Sequence, residues 1–215
     1  MKTRIFTLFI LAAFTLSGSA AVKGKAVPVD GLKFQKTPMM KAPSAAASAD
    51  VFYESFDNGV GDWVLIDESP DVAFDLQIGA LTDLTAISGS NYLISGYDEV
   101  SARDAWAISP GVLLLPATTY YLSAFIYTPG WEGFLDSLSF TIGTDNTILA
   151  QTRSLLQTKQ ETEGWTLVSV EFTVDAEALY NFGIHHASAE IGINAVGVED
   201  FRISLDAPVA PKPLV

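Results

Sequence analysis

The 215-residue chain contains no cysteine. That excludes thiol catalysis, a disulfide framework and any zinc or iron–sulfur site built on thiolates. Positive charge is nearly as scarce where it would matter. Between Val51 and Asp206 there are four basic side chains (Arg103, Arg153, Lys159 and Arg202) against 23 acidic ones, and the whole chain carries a formal charge of −13. A nucleic-acid partner recognised by backbone neutralisation needs a basic footprint, so that class is excluded. Anionic membrane surfaces are repelled for the same reason. An apolar run long enough to span a bilayer is missing too, since a membrane-crossing helix needs about 20 such residues. The motifs of three large enzyme classes are also absent: there is no Gly-x-Ser-x-Gly elbow, no HExxH helix and no phosphate loop. About half of the residues are apolar, which rules out a disordered polymer.

The first 21 residues have the layout of a secretory signal. Lys2 and Arg4 precede the apolar stretch Ile5–Leu16, and Ser17, Gly18, Ser19, Ala20 and Ala21 supply small residues for cleavage. Residues 22–50 follow as a flexible linker or pro-segment with five lysines and the run Ala42-Pro43-Ser44-Ala45-Ala46-Ala47-Ser48-Ala49. Residues 207–215 form a Pro-rich tail or linker. The expected location is secreted or cell-surface, and the folded part is expected to be one domain over residues 51–206.

Within that domain, alternation prevails over helical period. Val168, Val170, Phe172 and Val174 share one face of a predicted strand; Leu138, Phe140 and Ile142 share one face of another; Tyr180, Phe182 and Ile184 of a third. Tyr120–Tyr127 is apolar or aromatic on both faces, as suits a central strand. Turn signals such as Gly59-Val60-Gly61, Ser88-Gly89-Ser90-Asn91 and Pro129-Gly130 punctuate the pattern. Many short strands with such turns predict an all-β, two-sheet jelly-roll sandwich. A domain of this size buries about 68–70% of its unfolded surface and folds without disulfides. One alternation breaks: the step from Val198 to Phe201 is odd. A β-bulge at Glu199-Asp200 restores the inward face and re-aims a carboxylate. Trp63, Trp106 and Trp165 are expected in the core.

Several ordered segments carry a family resemblance: Tyr53-Glu54-Ser55-Phe56-Asp57 with Gly61-Asp62-Trp63, Asp104-Ala105-Trp106-Ala107-Ile108-Ser109-Pro110, Tyr120–Phe125, Gly164-Trp165, and Val198-Glu199-Asp200-Phe201-Arg202-Ile203. In that order they resemble the cleaved adhesin domains of bacterial surface proteins. They also resemble the related choice-of-anchor J modules and, more distantly, MAM domains. The resemblance implies a jelly roll of galactose-binding or MAM-like type and a non-catalytic extracellular adhesion or binding role. It also implies a structural calcium ion and an extracellular protein or glycan as partner. With Phe56 set beside Phe201, Asp57 approaches Asp200, and Asp104 is the third expected metal ligand. Calcium takes six to eight hard oxygens, which carboxylates at a strand edge help supply.

A carbohydrate-binding module is the alternative, with Trp131, Tyr97 and Glu132 as ligand-binding residues: an exposed ring stacks on a sugar while polar neighbours bond its hydroxyls. The competing reading of Trp131 is a cap on the end of the core. A hydrolase is the second alternative and requires a cleft with facing carboxylates, one of them buried with a raised pKa beside the other. Glu132 with Asp136, and Glu161 with Glu163, are close in sequence, which argues against such a pair. His185 and His186 are adjacent on a strand, point to opposite faces and share no ion.

Overall fold

The computed structural model describes residues 49–69, 77–79, 84–96, 102–130, 135–188 and 195–209. The signal segment, nearly all of the linker, Tyr97, Trp131, Glu132 and the end of the tail lie outside the described residues.

Twelve strands follow in chain order: β1 (Asp50–Glu54), β2 (Val64–Asp67), β3 (Gln77–Gly79), β4 (Tyr92–Ser95), β5 (Asp104–Ile108), β6 (Val112–Leu114), β7 (Tyr120–Tyr127), β8 (Ser137–Gly143), β9 (Arg153–Thr158), β10 (Thr166–Phe172), β11 (Ala178–Ala187) and β12 (Val196–Ser204). They form two antiparallel sheets. The first runs β10-β7-β12-β4-β3, with β1 also paired to β12; the second runs β2-β5-β11-β8-β9, with β6 also paired to β11. Among the described residues the one helical piece is a 3-10 turn at Ile148–Ala150. The architecture is the all-β two-sheet sandwich that the alternation predicts.

The apolar stripes meet between the sheets. Leu122, Ala124 and Ile126 of β7, Val196, Val198, Phe201 and Ile203 of β12, Leu138, Phe140 and Ile142 of β8, and Phe182 and Ile184 of β11 belong to one buried cluster. Its aromatic centre is Phe201, 5.3 Å edge-on from Trp63 and 6.0 Å from Phe182, with Phe56 5.3 Å from the same Trp63. Each such pair adds about 0.5–1.5 kcal/mol beyond area burial.

The opening and closing strands are neighbours. Glu54 faces Phe201 and Tyr53 faces Arg202. The Arg202 guanidinium lies 4.7 Å over the Tyr53 ring and bonds Asp50 at 3.0 Å. The bulge is present as well: β12 slips against β7 between Glu199 and Arg202, and Asp200 takes a positive φ of 50°. Phe201 is thereby returned to the interior, fully buried.

All three tryptophans are buried, as expected, but in different places. Trp63 lies between the sheets, but Trp165 belongs to a second cluster with Leu84, Tyr92, Ile94, Phe125 and Tyr127. These strand residues alternate with the inward-facing ones, so this cluster sits on the outer face of the first sheet. Trp106 belongs to neither cluster. Its neighbour Ala107 faces the core, so the indole projects from the outer face of the second sheet.

Candidate functional site

The outer face of the second sheet is built from the side chains left over when the apolar stripes turn inward. Strand pairing sets Ile66, Trp106, His185, Ser139 and Gln157 in one row across five strands. The Trp106 indole stacks on the His185 imidazole at 3.8 Å and 10°. It lies flat beside Gly183, where a Cβ would crowd both the ring and the Thr141 hydroxyl. The Asp104 carboxylate accepts the indole N–H at 2.8 Å and meets His185 Nε2 at 2.8 Å. An ionised carboxylate only accepts, so Nε2 carries the proton. Burial holds the His185 pKa below its usual value, against the opposing pull of Asp104. The imidazole is therefore neutral at pH 7, and it presents a fixed flat wall. Beside that wall is an open cleft of about 580 Å³, lined by Ser137, Ser139, Gln157, Lys159, His185 and Ser188, with Ala187. Gln157 donates to the Ser137 hydroxyl at 3.0 Å. The lining offers hydroxyl and amide groups next to a supported ring, which suits a polyhydroxylated ligand.

Beneath the same end of the sheet a polar chain is buried. The Arg103 side chain, fully enclosed, bonds Asp67 at 2.8 Å and Ser95 at 3.4 Å. The Ser95 hydroxyl meets His186 Nδ1 at 2.7 Å, and His186 Nε2 meets Asp136 at 3.1 Å. Burial first, and Arg103 in addition, hold the His186 pKa down, against Asp136 and Asp67. Two guanidinium nitrogens of Arg103, Nε and Nη1, have no hydrogen-bond partner among the described residues. The chain links the ends of β2, β4 and β11 to the starts of β5 and β8, so it fixes where the connections at that end leave the sandwich.

A third cluster lies on the covered face of the first sheet. Glu199 is fully buried. Its two oxygens accept the Ile87 N–H at 2.7 Å and the Ser88 N–H at 2.6 Å. Burial pushes its pKa up to about 7, and Asp200 adds to the rise while the backbone donors oppose it. Asp200 accepts from the Tyr53 hydroxyl and, at 2.9 Å, from Ser88 Oγ. Burial and Asp200 raise the Tyr53 pKa, so the phenol stays a donor. Asp57 accepts the Ser90 N–H at 2.6 Å and the Asn91 N–H at 3.1 Å. Gly89 has φ +60°, and a side chain there would overlap the Asp57 carboxylate. Three carboxylates thus clasp residues 87–91.

The expected metal set is only partly assembled. Asp57 and Asp200 do converge on one short segment, but Asp104 does not join them. It stands on the other sheet, committed to Trp106 and His185. Among the described residues no three His, Cys, Asp or Glu side chains group so as to hold a metal ion. His185 and His186 face opposite sides, as adjacent strand residues must. Asp136 meets His186 Nε2 at 3.1 Å, and Glu132, the acid weighed with it, lies outside the described residues. Glu199 beside Asp200 has the raised pKa that a hydrolase pair shows, yet both its oxygens are bonded to backbone and closed off from any substrate. The Arg103–His186 chain and the Glu199 clasp have no local sequence signal beyond the bulge that aims the latter.

The two-sheet fold is shared with solved adhesin and carbohydrate-binding domains. The K1 cleaved adhesin domain of Lys-gingipain from Porphyromonas gingivalis W83 superposes with a TM-score of 0.56 at 16% identity, over 73% of this chain and 98% of that one. The K3 cleaved adhesin domain of the same protein gives 0.54 at 15%, over 73% and 98%. A xylan-binding domain from Paenibacillus barcinonensis gives 0.50 at 12%, over 77% and 100%. Identities this low show a shared fold. No family model matches the sequence, and no curated protein matches it. Among the described residues no helix is long and apolar enough to cross a membrane.

Proposed function

We propose that residues 51–206 form an exported, non-catalytic adhesion module of a bacterial surface protein, and that it holds a glycan on the outer face of the second sheet. Of the families the sequence resembles, the cleaved adhesin domains are the ones the structural likeness supports. The observation that carries the reading is the cleft beside the Trp106–His185 stack, lined by Ser137, Ser139, Gln157 and Ser188. The structural likeness to a domain described as xylan-binding supports a saccharide over a protein partner.

A glycan array followed by calorimetric titration of the best binder tests this. Gln157→Ala together with Ser137→Ala is expected to weaken that binder by about tenfold or more, from hydrogen bonds worth about 0.5–1.5 kcal/mol each, without moving Tm. Retention of no glycan, or full affinity in the double variant, overturns the proposal. Calcium belongs to the same proposal as a stabiliser. Asp57 and Asp200 are the residues that would hold it, and they present hard oxygen donors of the type calcium takes.

A further inference from the structure

Resting on the glycan reading of this cleft, we infer that its ligand is an acidic saccharide, and that Lys159 recognises the sugar carboxylate. The argument starts from where the few cations go. Of the four basic side chains between Val51 and Asp206, three are committed within the fold. Arg103 is paired with Asp67, Arg202 with Asp50, and Arg153 donates to the Thr173 carbonyl at 2.8 Å. Lys159 is exposed and has neither an ion pair nor a hydrogen bond among the described residues, yet it lines the cleft. No acidic side chain lines the cleft with it among the described residues, in a domain with 23 of them. A lone ammonium among hydroxyls and an amide is complementary to a ring that bears both hydroxyls and one carboxylate. The rest of the domain, including Asp104 in contact with His185 Nε2, repels anions at long range, so the single ammonium in the lining fixes where a bound carboxylate sits. A charge-assisted hydrogen bond from ammonium to carboxylate is stronger than one to a neutral hydroxyl, and that difference provides the discrimination.

The test is a titration of the mature domain with oligosaccharides of galacturonate, mannuronate and glucuronate, each paired with its carboxyl-reduced neutral counterpart. At least one uronate is expected to bind about tenfold or more tighter than its reduced form, the range set by hydrogen bonds to charged groups. Lys159→Gln is expected to bring the two to parity, and Lys159→Arg to keep the preference. Equal affinity for a uronate and its neutral form, or a preference that survives in Lys159→Gln, overturns the inference and leaves the glycan reading standing. If no saccharide of either kind binds, both fall. Lys159 is exposed, so both variants are expected to melt as the wild type does, and a titration of unfolded protein is thereby excluded.

Discussion

The two sheets present their outer faces to opposite sides, and the chain treats those faces differently. On the first sheet Tyr92, Ile94, Phe125 and Tyr127 point outward, and the chain covers them itself with Leu84, Trp165 and the flanking Ala86, Ile87 and Leu167. On the second sheet the outward row is Trp106, His185, Ser139 and Gln157, and nothing among the described residues closes the cleft beside it. The difference lies in side-chain chemistry. Large apolar rings must be kept from water, at roughly 25 cal/mol per Å² of apolar surface. Hydroxyls and amides keep their hydrogen bonds to water until a ligand replaces it. One face contributes stability, and the other is the one on which we propose that recognition takes place.

Removing the cover is the most severe way to break this comparison. Trp165 packs edge-on to Tyr92 at 4.9 Å, and its indole donates to the Thr85 carbonyl at 2.9 Å. Trp165→Ala is expected to cost about 3–5 kcal/mol, as large-to-small aromatic substitutions in packed sites do. For a domain of this size that lowers Tm by roughly 6–20 °C. Saccharide affinity, measured well below the new Tm, should stay within about twofold. Loss of binding with the fold intact would show that the covered face takes part in recognition.

Calcium probes the same covered side with a smaller effect. An ion held by Asp57 and Asp200, at a concentration about a hundredfold above its Kd, adds about 2.7 kcal/mol. Tm then rises by roughly 5–10 °C. Magnesium should do less, since it demands a tighter octahedron and gives up its waters reluctantly. Asp57→Asn together with Asp200→Asn should abolish the rise, whereas Asp104→Asn should leave it. Scanning calorimetry with calcium, magnesium and chelator reads all three, and a melt indifferent to chelator removes calcium from the account.

How far the two faces can be read from sequence depends on how local their causes are. Alternation located the inward stripes of β8, β10 and β11, because half-buried strands repeat every two residues, whereas β7, apolar on both faces, could be read only as a central strand. The odd step between Val198 and Phe201 revealed the bulge for the same reason, since one extra residue inverts every later side chain. The segment Asp104–Ile108 shows where pattern stops. Its two alanines face the core and its tryptophan faces out, the reverse of what residue size suggests. Only the partner strand, with His185 to stack on, explains the choice. Asp104 was misplaced in the same way: the residues that occupy it are two and 81 positions away, on the outer face of its own sheet. Glu199 lies 112 residues from Ile87, and the Arg103–Ser95–His186–Asp136 chain joins segments that no local window spans.

The smallest expected effect is in the pH dependence of stability, and it distinguishes the two faces by which variant alters it. Glu199, on the covered face, has its pKa raised from the usual 4.5 to about 7 by burial. Between those values the folded protein holds a proton that the unfolded chain has released, so stability falls as pH rises through the interval and levels off above it. His185 and His186 act in the opposite sense. Burial lowers both from 6.5, so below pH 6.5 the unfolded chain takes up protons that the folded one refuses, and stability falls as pH falls. The two slopes oppose each other on the acid side. The unfolded histidines release their last protons over about a unit above pH 6.5, so their rising contribution and the last of the Glu199 fall offset each other there. Tm is therefore expected to stay nearly level from pH 6.5 to 8, and Glu199→Gln, which removes the falling contribution, should make Tm rise with pH over that range while lowering Tm overall. The loss comes from the amide, which leaves one of the Ile87 and Ser88 N–H groups without its acceptor at about 1–3 kcal/mol. Saccharide affinity in Glu199→Gln should match the wild type, because the clasp and the cleft lie on different sheets. A Glu199→Gln melt that keeps the wild-type pH profile would mean that Glu199 does not offset the histidines there, and the clasp would no longer account for the profile.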